Sequence, residues 1–186
     1  IQTPQYLNCR HEILAVGLAS GYYKATGRTQ AVLLPTGLGV LSGSLAVRSA
    51  LHEHITMVIV APDTLTHGAV PGLDPGPEWP TLLVDLAGPV RNAETVTKWA
   101  KEVKTGSDLA ADVRRAWYFA ESVPRGPTLL GLPFDILMGQ VTQPHGDKPK
   151  ASPLVAPTDS LREVADLLMR SRAPLIVTEH AARTPP

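Results

Sequence analysis

The sequence predicts an α/β fold: a three-layer sandwich with helices on both faces of a central, mostly parallel sheet. Two observations carry that prediction. Residues 31–35 (AVLLP), 57–61 (MVIVA) and 128–132 (TLLGL) are apolar runs of strand length without alternation, the pattern of strands covered on both faces. A helical stretch separates the first two, which is the spacing of a β-α-β unit with a right-handed crossover. The chain has 186 residues, 44% of them hydrophobic, enough for one core and part of a second.

Bulk properties remove several function classes. The 17 basic and 17 acidic residues cancel, so no net charge drives binding to nucleic acid or an acidic membrane. Cys9 is the one cysteine, which rules out an internal disulfide and suits a reducing cytoplasm. No apolar run approaches the ~20 residues of a membrane span. The opening IQTPQYLN lacks the charged and apolar regions of a signal peptide.

Taken in order, Tyr6–Cys9 reads as a short strand. A helix is expected over His11–Ala25, with Ile13, Val16 and Gly17 on one face and Leu14 and Leu18 beside it. Its Ala15, Gly17, Ala19, Ser20 and Gly21 allow another backbone close, and Gly27 is the C-terminal stop. After the strand at 31–35 come Gly37, Gly39 and Gly43, read as a glycine turn, then a helix from about Val40 to Glu53. Residues 62–90, dense in Pro and Gly, form a long loop of the kind that often carries function. Val96–Val103 is a strand. Ser107 caps a helix to Glu121 that buries Leu109, Ala110, Val113, Ala116 and Trp117.

The remainder changes character. Residues 139–157 are polar and proline-rich, a linker. DSLREVADLLMRS is an amphipathic helix with Leu161, Val164, Ala165 and Leu168 facing inward, and APLIVTE is a following strand. One helix and one strand cannot close a domain. The expected organisation is therefore a domain over 1–138, a linker over 139–157, and the incomplete start of a second domain over 158–186.

Several residue patterns admit chemistry. Gly37, Gly39 and Gly43 open a helix after a strand, and Asp63 ends the next strand 24 residues beyond Gly39. That approaches a dinucleotide-binding arrangement, although the spacing is GxGxxxG and a tight β-α turn explains it as well. His52 and His54 do not share a helical face at i, i+2. They chelate a metal only if the helix ends between them, and otherwise suit a helix C-terminus. No metal site is assigned. His67 lies in the long loop without an identifiable partner. Cys9 precedes Arg10 and His11, which lowers a thiol pKa if they approach it, though a buried structural thiol fits too. Glu12, at the mouth of a helix, is favourably placed against the macrodipole; locally it is an ordinary N-terminal carboxylate.

The ordered series says more than any one motif. RHEILAVGLASGYYKATGR followed by AVLLPTGLGVLSGSLAVRSALHEHITMVIVAPD resembles the pyrimidine-binding domain of thiamine-diphosphate-dependent enzymes, the group of acetolactate synthase, benzoylformate decarboxylase and oxalyl-CoA decarboxylase. VTKWAKEV looks like the family's TKW segment, RGPTLLGLPFDIL like its closing strand, and SLREVADLLMRSRAPLIVTEHAAR like the opening of its central domain. The resemblance covers nearly the whole chain. It implies that the glutamate matching Glu12 hydrogen-bonds N1′ of the cofactor aminopyrimidine. A carboxylate buried among apolar and small residues has a raised pKa. As the acid it favours the 4′-imino tautomer, which activates the cofactor for attack on a 2-oxo acid. Pro35, Thr36, Gly37 and Gly39 are expected to line the pyrimidine side.

This chain also departs from the family pattern. TGLGVLSG has Ser42 where Asn is common, and Thr56 stands where Pro is frequent. Pro35 occupies the position of the catalytic His of the benzoylformate decarboxylase branch. Residues 62–90 lack the usual glutamine-containing segment. The family's first strand and helix ahead of HE have no counterpart, so an N-terminally truncated domain is expected. Nor is there a counterpart to its GDG…N segment, which binds Mg²⁺ and the diphosphate. The resemblance thus implies half a site. A homodimer or homotetramer through the pyrimidine domain completes it, and the chain alone is inactive. A non-catalytic scaffold or regulatory module of the same fold, and a nucleotide-binding α/β domain, are the alternatives.

Overall fold

The computed structural model describes residues 5–63, 88–140 and 155–178. The chain divides into two units, Ile1–Ala151 and Ser152–Pro186. In the first unit the described elements run α1 (Glu12–Thr26), β1 (Gln30–Leu33), α2 (Thr36–His52), β2 (Met57–Asp63), α3 (Gly88–Ala93), β3 (Trp99–Glu102), α4 (Leu109–Glu121), β4 (Pro127–Pro133) and α5 (Phe134–Met138). The second unit holds α6 (Thr158–Arg170).

The four strands form one sheet in the order β1-β2-β4-β3, and every pairing is parallel. The α/β architecture with a parallel sheet is as the sequence predicts. Side-chain alternation splits the core into two layers. Met57, Ile59, Ala61 and Leu129 join Val16, Ala19 and Tyr23 of α1 and Val40, Val47 and Ala50 of α2 on one face. Val58, Leu130 and Leu132 join Ala116 and Ala120 of α4 and Ile136 of α5 on the other. β4 is buried at every position because it lies between two strands and beneath helices on both sides.

β1 differs from expectation. It is an edge strand with only Val32 buried, and Leu33 is 59% exposed. The reason is reach: α4 packs on β4, β2 and β3, so one face of β1 is uncovered in this chain. Tyr6–Cys9 is not a strand; a short extended segment needs a ladder partner to become one. In α1 the buried positions are Val16, Ala19 and Tyr23, whereas Ile13, Leu14 and Leu18 are exposed. Contact with α2 and β1 rotates the buried stripe away from the largest aliphatic side chains. Gly27 ends the helix in the left-handed region, at φ 67°, as read from the sequence.

β3 and α4 hold a charge the periodicity misses. Asp112, its side chain 3% exposed, receives both bonds of Lys101 Nζ, at 2.6 and 2.7 Å. The buried positions of α4 are Asp112, Ala116 and Ala120, while Val113 is exposed. The N-cap is Asp108 rather than Ser107; Ser107 Oγ instead meets Thr105 Oγ1 at 2.8 Å. Lys98 Nζ donates to the carbonyls of Phe119 and Ser122 at 2.6 and 2.5 Å, satisfying the end of α4. Its burial lowers its pKa.

The bottom edge of the sheet carries a polar chain. The Thr29 and Thr56 hydroxyls meet at 2.7 Å, Thr29 donates to Glu121 Oε1 at 2.9 Å, and Trp117 Nε1 donates to the same oxygen at 2.7 Å. Thr56 is buried, so a hydroxyl at the start of β2 is satisfied from β1 and α4 together.

In the second unit, α6 exposes Leu161 and Val164, and Ala165 is exposed too; Leu168 alone of the expected inward face is half-buried. No other described element of that unit packs against that stripe. Residues 174–178 form no strand, since a strand is defined by pairing. Residues 141–154, most of the expected linker, and 64–87, most of the expected loop with His67, lie outside the described residues.

Breaking the buried ion pair tests the α4 packing. Lys101→Met leaves Asp112 with only the looser Arg115 ion pair, at 3.9 Å, and is expected to cost about 2 kcal/mol in urea unfolding, below the usual buried-pair penalty because Lys101 is partly exposed and Arg115 remains. The double variant Lys101→Met/Asp112→Leu should recover most of that loss. A double variant as unstable as the single one excludes charge burial as the cause.

Candidate functional site

The site is built where α1 meets α2. Glu12 is the first residue of α1, and His11 caps the helix by accepting the Ile13 N–H at Nδ1, 3.2 Å. Ser42 and Gly43 lie in the second turn of α2. Ser42 Oγ donates to Glu12 Oε2 at 2.9 Å, and His11 Nδ1 is 3.5 Å from the same oxygen. Because Nδ1 already accepts from Ile13, that tautomer has no proton to give, and Ser42 is the side-chain donor to the carboxylate.

Gly43 explains how the helices come so close. A Cβ there would lie 3.3 Å from Leu34 Cδ1, 3.5 Å from Glu12 Cβ and 3.8 Å from Val16 Cγ2. Gly39, one turn earlier, has its own reason. A Cβ there would sit 2.5 Å from Pro35 Cδ, so the ring that opens α2 admits only glycine. The expected glycine turn is therefore not a loop. The helix begins at Thr36, not about Val40, and Gly37, Gly39 and Gly43 are all inside it. This accounts for the GxGxxxG spacing by packing, with no phosphate-binding turn. Asp63 ends β2 as expected, with its carboxylate beside Gly88, where a Cβ would lie 3.4 Å from Oδ2.

Thr36 has φ 39°, a left-handed conformation that is unusual for a β-branched residue. Such strain costs roughly 1–3 kcal/mol and clusters at ligand sites. It falls at the junction of β1 and α2, between Pro35 and Gly37. No sequence signal marks it, because threonine is a poor predictor of positive φ.

Glu12 is half-buried, its side chain 25% exposed. Its pKa lies below the ordinary glutamate value, not above it as the family comparison led us to expect. The largest cause is a hydrogen bond from its own backbone, followed by the Ser42 hydroxyl; burial works in the opposite direction, and nearby His11 lowers it further. In this chain the carboxylate is thus open enough to be solvated and is held as the anion.

The histidine pair is resolved as well. α2 ends at His52, and His54, beyond the cap, has Nδ1 3.0 Å from the Arg125 carbonyl. The helix does end between them, yet among the described residues no three His, Cys, Asp or Glu side chains gather to hold a metal. Cys9 is a free, half-buried thiol. No helix among the described residues is long and apolar enough to cross a membrane.

A parallel sheet, with a carboxylate and a glycine-lined helix start beyond the end of its edge strand, defines an α/β cofactor-binding domain of the kind that holds ligands at strand carboxyl ends. Residues 2–72 match the family described as "Thiamine pyrophosphate enzyme, N-terminal TPP binding domain". The chain is 26% identical over 141 residues to the acetolactate synthase large subunit of Haemophilus influenzae, covering 76% of this chain and 23% of that protein. It is 30% identical over 178 residues to acetolactate synthase 1, chloroplastic, of Zea mays, covering 90% of this chain and 26% of that protein. In fold it resembles a putative thiamin diphosphate-dependent enzyme from Mycobacterium smegmatis (TM-score 0.69, 22% identity, 87% of this chain and 29% of the other). A second fold relative is the thiamine diphosphate-dependent 4-hydroxybenzoylformate decarboxylase of Rhodococcus jostii RHA1 (TM-score 0.64, 17% identity, 86% of this chain and 29% of the other). Residues 2–72 thus match the N-terminal cofactor-binding domain of thiamine-diphosphate-dependent enzymes, and the chain shares the fold of these solved relatives. It spans about a quarter of the length of the curated relatives it matches.

Two outcomes test this geometry. Gly43→Val should wedge α1 from α2 and cost about 1–3 kcal/mol in chemical unfolding; an unchanged midpoint contradicts the close approach. The second concerns pH. A carboxylate held below its unfolded value near 4.5 adds stability that is fully present above that pH and is lost as pH falls through the lower folded value. Glu12→Gln removes that contribution. The stability gap between wild type and variant should therefore shrink between pH 5 and pH 3 in urea titrations; a gap that widens toward acid rules it out.

Proposed function

We propose that the protein carrying this chain is a thiamine-diphosphate-dependent enzyme that decarboxylates or carboligates 2-oxo acids, with Glu12 as the residue that engages the cofactor aminopyrimidine. The observation that carries this reading is the carboxylate at the start of α1, fixed against α2 by Ser42 and by the close approach at Gly43. The residues present fit the group. A carboxyl group pairs with a ring nitrogen when one proton lies between them, as the acid to a neutral nitrogen or as the anion to a protonated one. Thiamine diphosphate, when bound, supplies the electron sink for the departing carboxylate's electrons. Pro35, Thr36, Gly37 and Gly39, at the β1–α2 junction, line the same region. The family resemblance leaves the Mg²⁺–diphosphate half of the site to another domain.

Glu12 has two tasks that its surroundings set against each other. Ser42 and the α1 backbone favour the anion; the proton-donating role needs the acid. Burial already pushes its pKa upward, and covering the open side extends that push. The exposed apolar side chains of the helical layer, Leu14 and Leu18 on α1 and Leu38, Leu41 and Leu45 on α2, favour such a cover. A partner subunit in a homodimer or homotetramer is the cover we infer, with the site completed between subunits. The isolated chain is then expected to be inactive.

A non-catalytic module of the same fold is the second reading, favoured by one observation: Glu12 is held as the anion and part-exposed in this chain. Full-length protein separates the two. Calorimetry with thiamine diphosphate plus Mg²⁺ should show binding, and NAD(H) none. Glu12→Gln should keep the fold and reduce turnover by about 10²-fold or more. A Gln variant with normal turnover rejects the assignment, and failure of the wild type to bind the cofactor favours the module.

A further inference from the structure

We propose that Ser42 is a positioning residue for Glu12, its hydroxyl holding Oε2 against α2 and so setting both the rotamer of the carboxylate and its readiness to take a proton. The proposal rests on the cofactor reading for its purpose, but not for its geometry.

Glu12 stands at the N-terminus of its helix, where its own backbone offers a hydrogen bond and the helix end favours negative charge. Left to these, the side chain of a first-turn glutamate can fold back on its own helix. Ser42 anchors it from outside. The 2.9 Å bond spans 30 residues of sequence and crosses between two helices. It forms where α2 faces the start of α1, with space at Gly43 for no more than a methyl group in contact with Glu12 Cβ. The neighbouring turn of α2 offers no competing donor: Ser44 is committed to the Leu41 carbonyl at 2.7 Å.

Among the described residues, the charged and titratable groups placed near the carboxylate by a stated contact are few. His11, on the same helix start, is 3.5 Å from Oε2. Of the elements packed on α1, α2 presents the neutral Ser42 and β1 leads to the apolar Leu34. Arg48 is turned to the Thr95 carbonyl at 3.0 Å. Lys24 pairs with Glu53 at the other end of α1. Ser42 is therefore the side chain whose removal changes Glu12 most directly.

The Ser42 hydroxyl donor stabilises the anion and so lowers the Glu12 pKa. A serine at this position thus makes Glu12 harder to protonate until the site is covered. The hydroxyl can also rotate. Once Oε2 is protonated, Ser42 can accept from it rather than donate, which keeps the carboxyl group in place through both states.

The test uses full-length protein labelled with 13C at glutamate carboxyls, the Glu12 resonance being the one lost in Glu12→Gln. Ser42→Ala should raise the Glu12 titration midpoint. Ser42→Thr should return it to the wild-type value, with the fold retained in both variants. In the cofactor-loaded protein the acid limb of the pH–rate profile should move in the same direction in Ser42→Ala. A midpoint unmoved by Ser42→Ala overturns the positioning role even if the enzyme binds thiamine diphosphate normally. A midpoint that moves, in a protein whose Glu12→Gln variant turns over normally, upholds the Ser42–Glu12 coupling and removes the cofactor reading instead.

Discussion

The closeness of α1 and α2 is the constraint on which the rest depends. At Gly43 the second turn of α2 faces Glu12, Val16 and Leu34, and a Cβ there would be tight only against the end of the Leu34 side chain, at 3.3 Å. That contact delivers the Ser42 hydroxyl to Oε2. It also seals Val16 beneath the two helices, fully buried. Without the approach, Glu12 is a helix-start carboxylate like many others, stabilised by a dipole and surrounded by water. With it, the same carboxylate has a fixed rotamer and a partner that responds to its protonation.

The sheet supplies the frame for that contact. Four parallel strands carry helices on both faces, and the pairing of β2 with both β1 and β4 locks the edge strand to the centre. The side chains of β2 alternate between two cores. α1 and α2 therefore sit on a surface that is itself rigid. The ends are tied by polar groups rather than by more apolar burial. Lys101 neutralises Asp112 under α4. The Thr29–Thr56–Glu121–Trp117 chain fastens the opposite end of the sheet.

Openness is the other side of the same arrangement. β1 is covered on one face, α1 and α2 expose leucines, and α6 exposes most of its apolar stripe. A carboxylate in such a half-covered site is anionic because water and hydrogen bonds still reach it. The expectation of a raised pKa came from a completed family site. The lowered one is set in this chain by the Glu12 backbone, Ser42 and His11, which together outweigh burial.

The sequence by itself determined the β-α-β framework. Unbroken apolar runs at 57–61 and 128–132 have few ways to be satisfied other than in a two-sided parallel sheet. It also determined the end of α1 at Gly27, where a left-handed residue was needed, and the family, through the order of its short motifs. What it could not give are effects of long-range partners. Asp112 is buried because Lys101 arrives from another element, so helix periodicity pointed to Val113. The strand at 31–35 looked two-sided because its composition does not say that it lies at an edge. Gly37 and Gly39 looked like a turn ahead of the helix, whereas α2 starts at Thr36 with the Pro35 ring lying against Gly39, which no local pattern encodes. Local sequence fixes which backbone shapes are cheap; only packing decides which side chains meet, and the Ser42–Glu12 bond is a meeting across 30 residues.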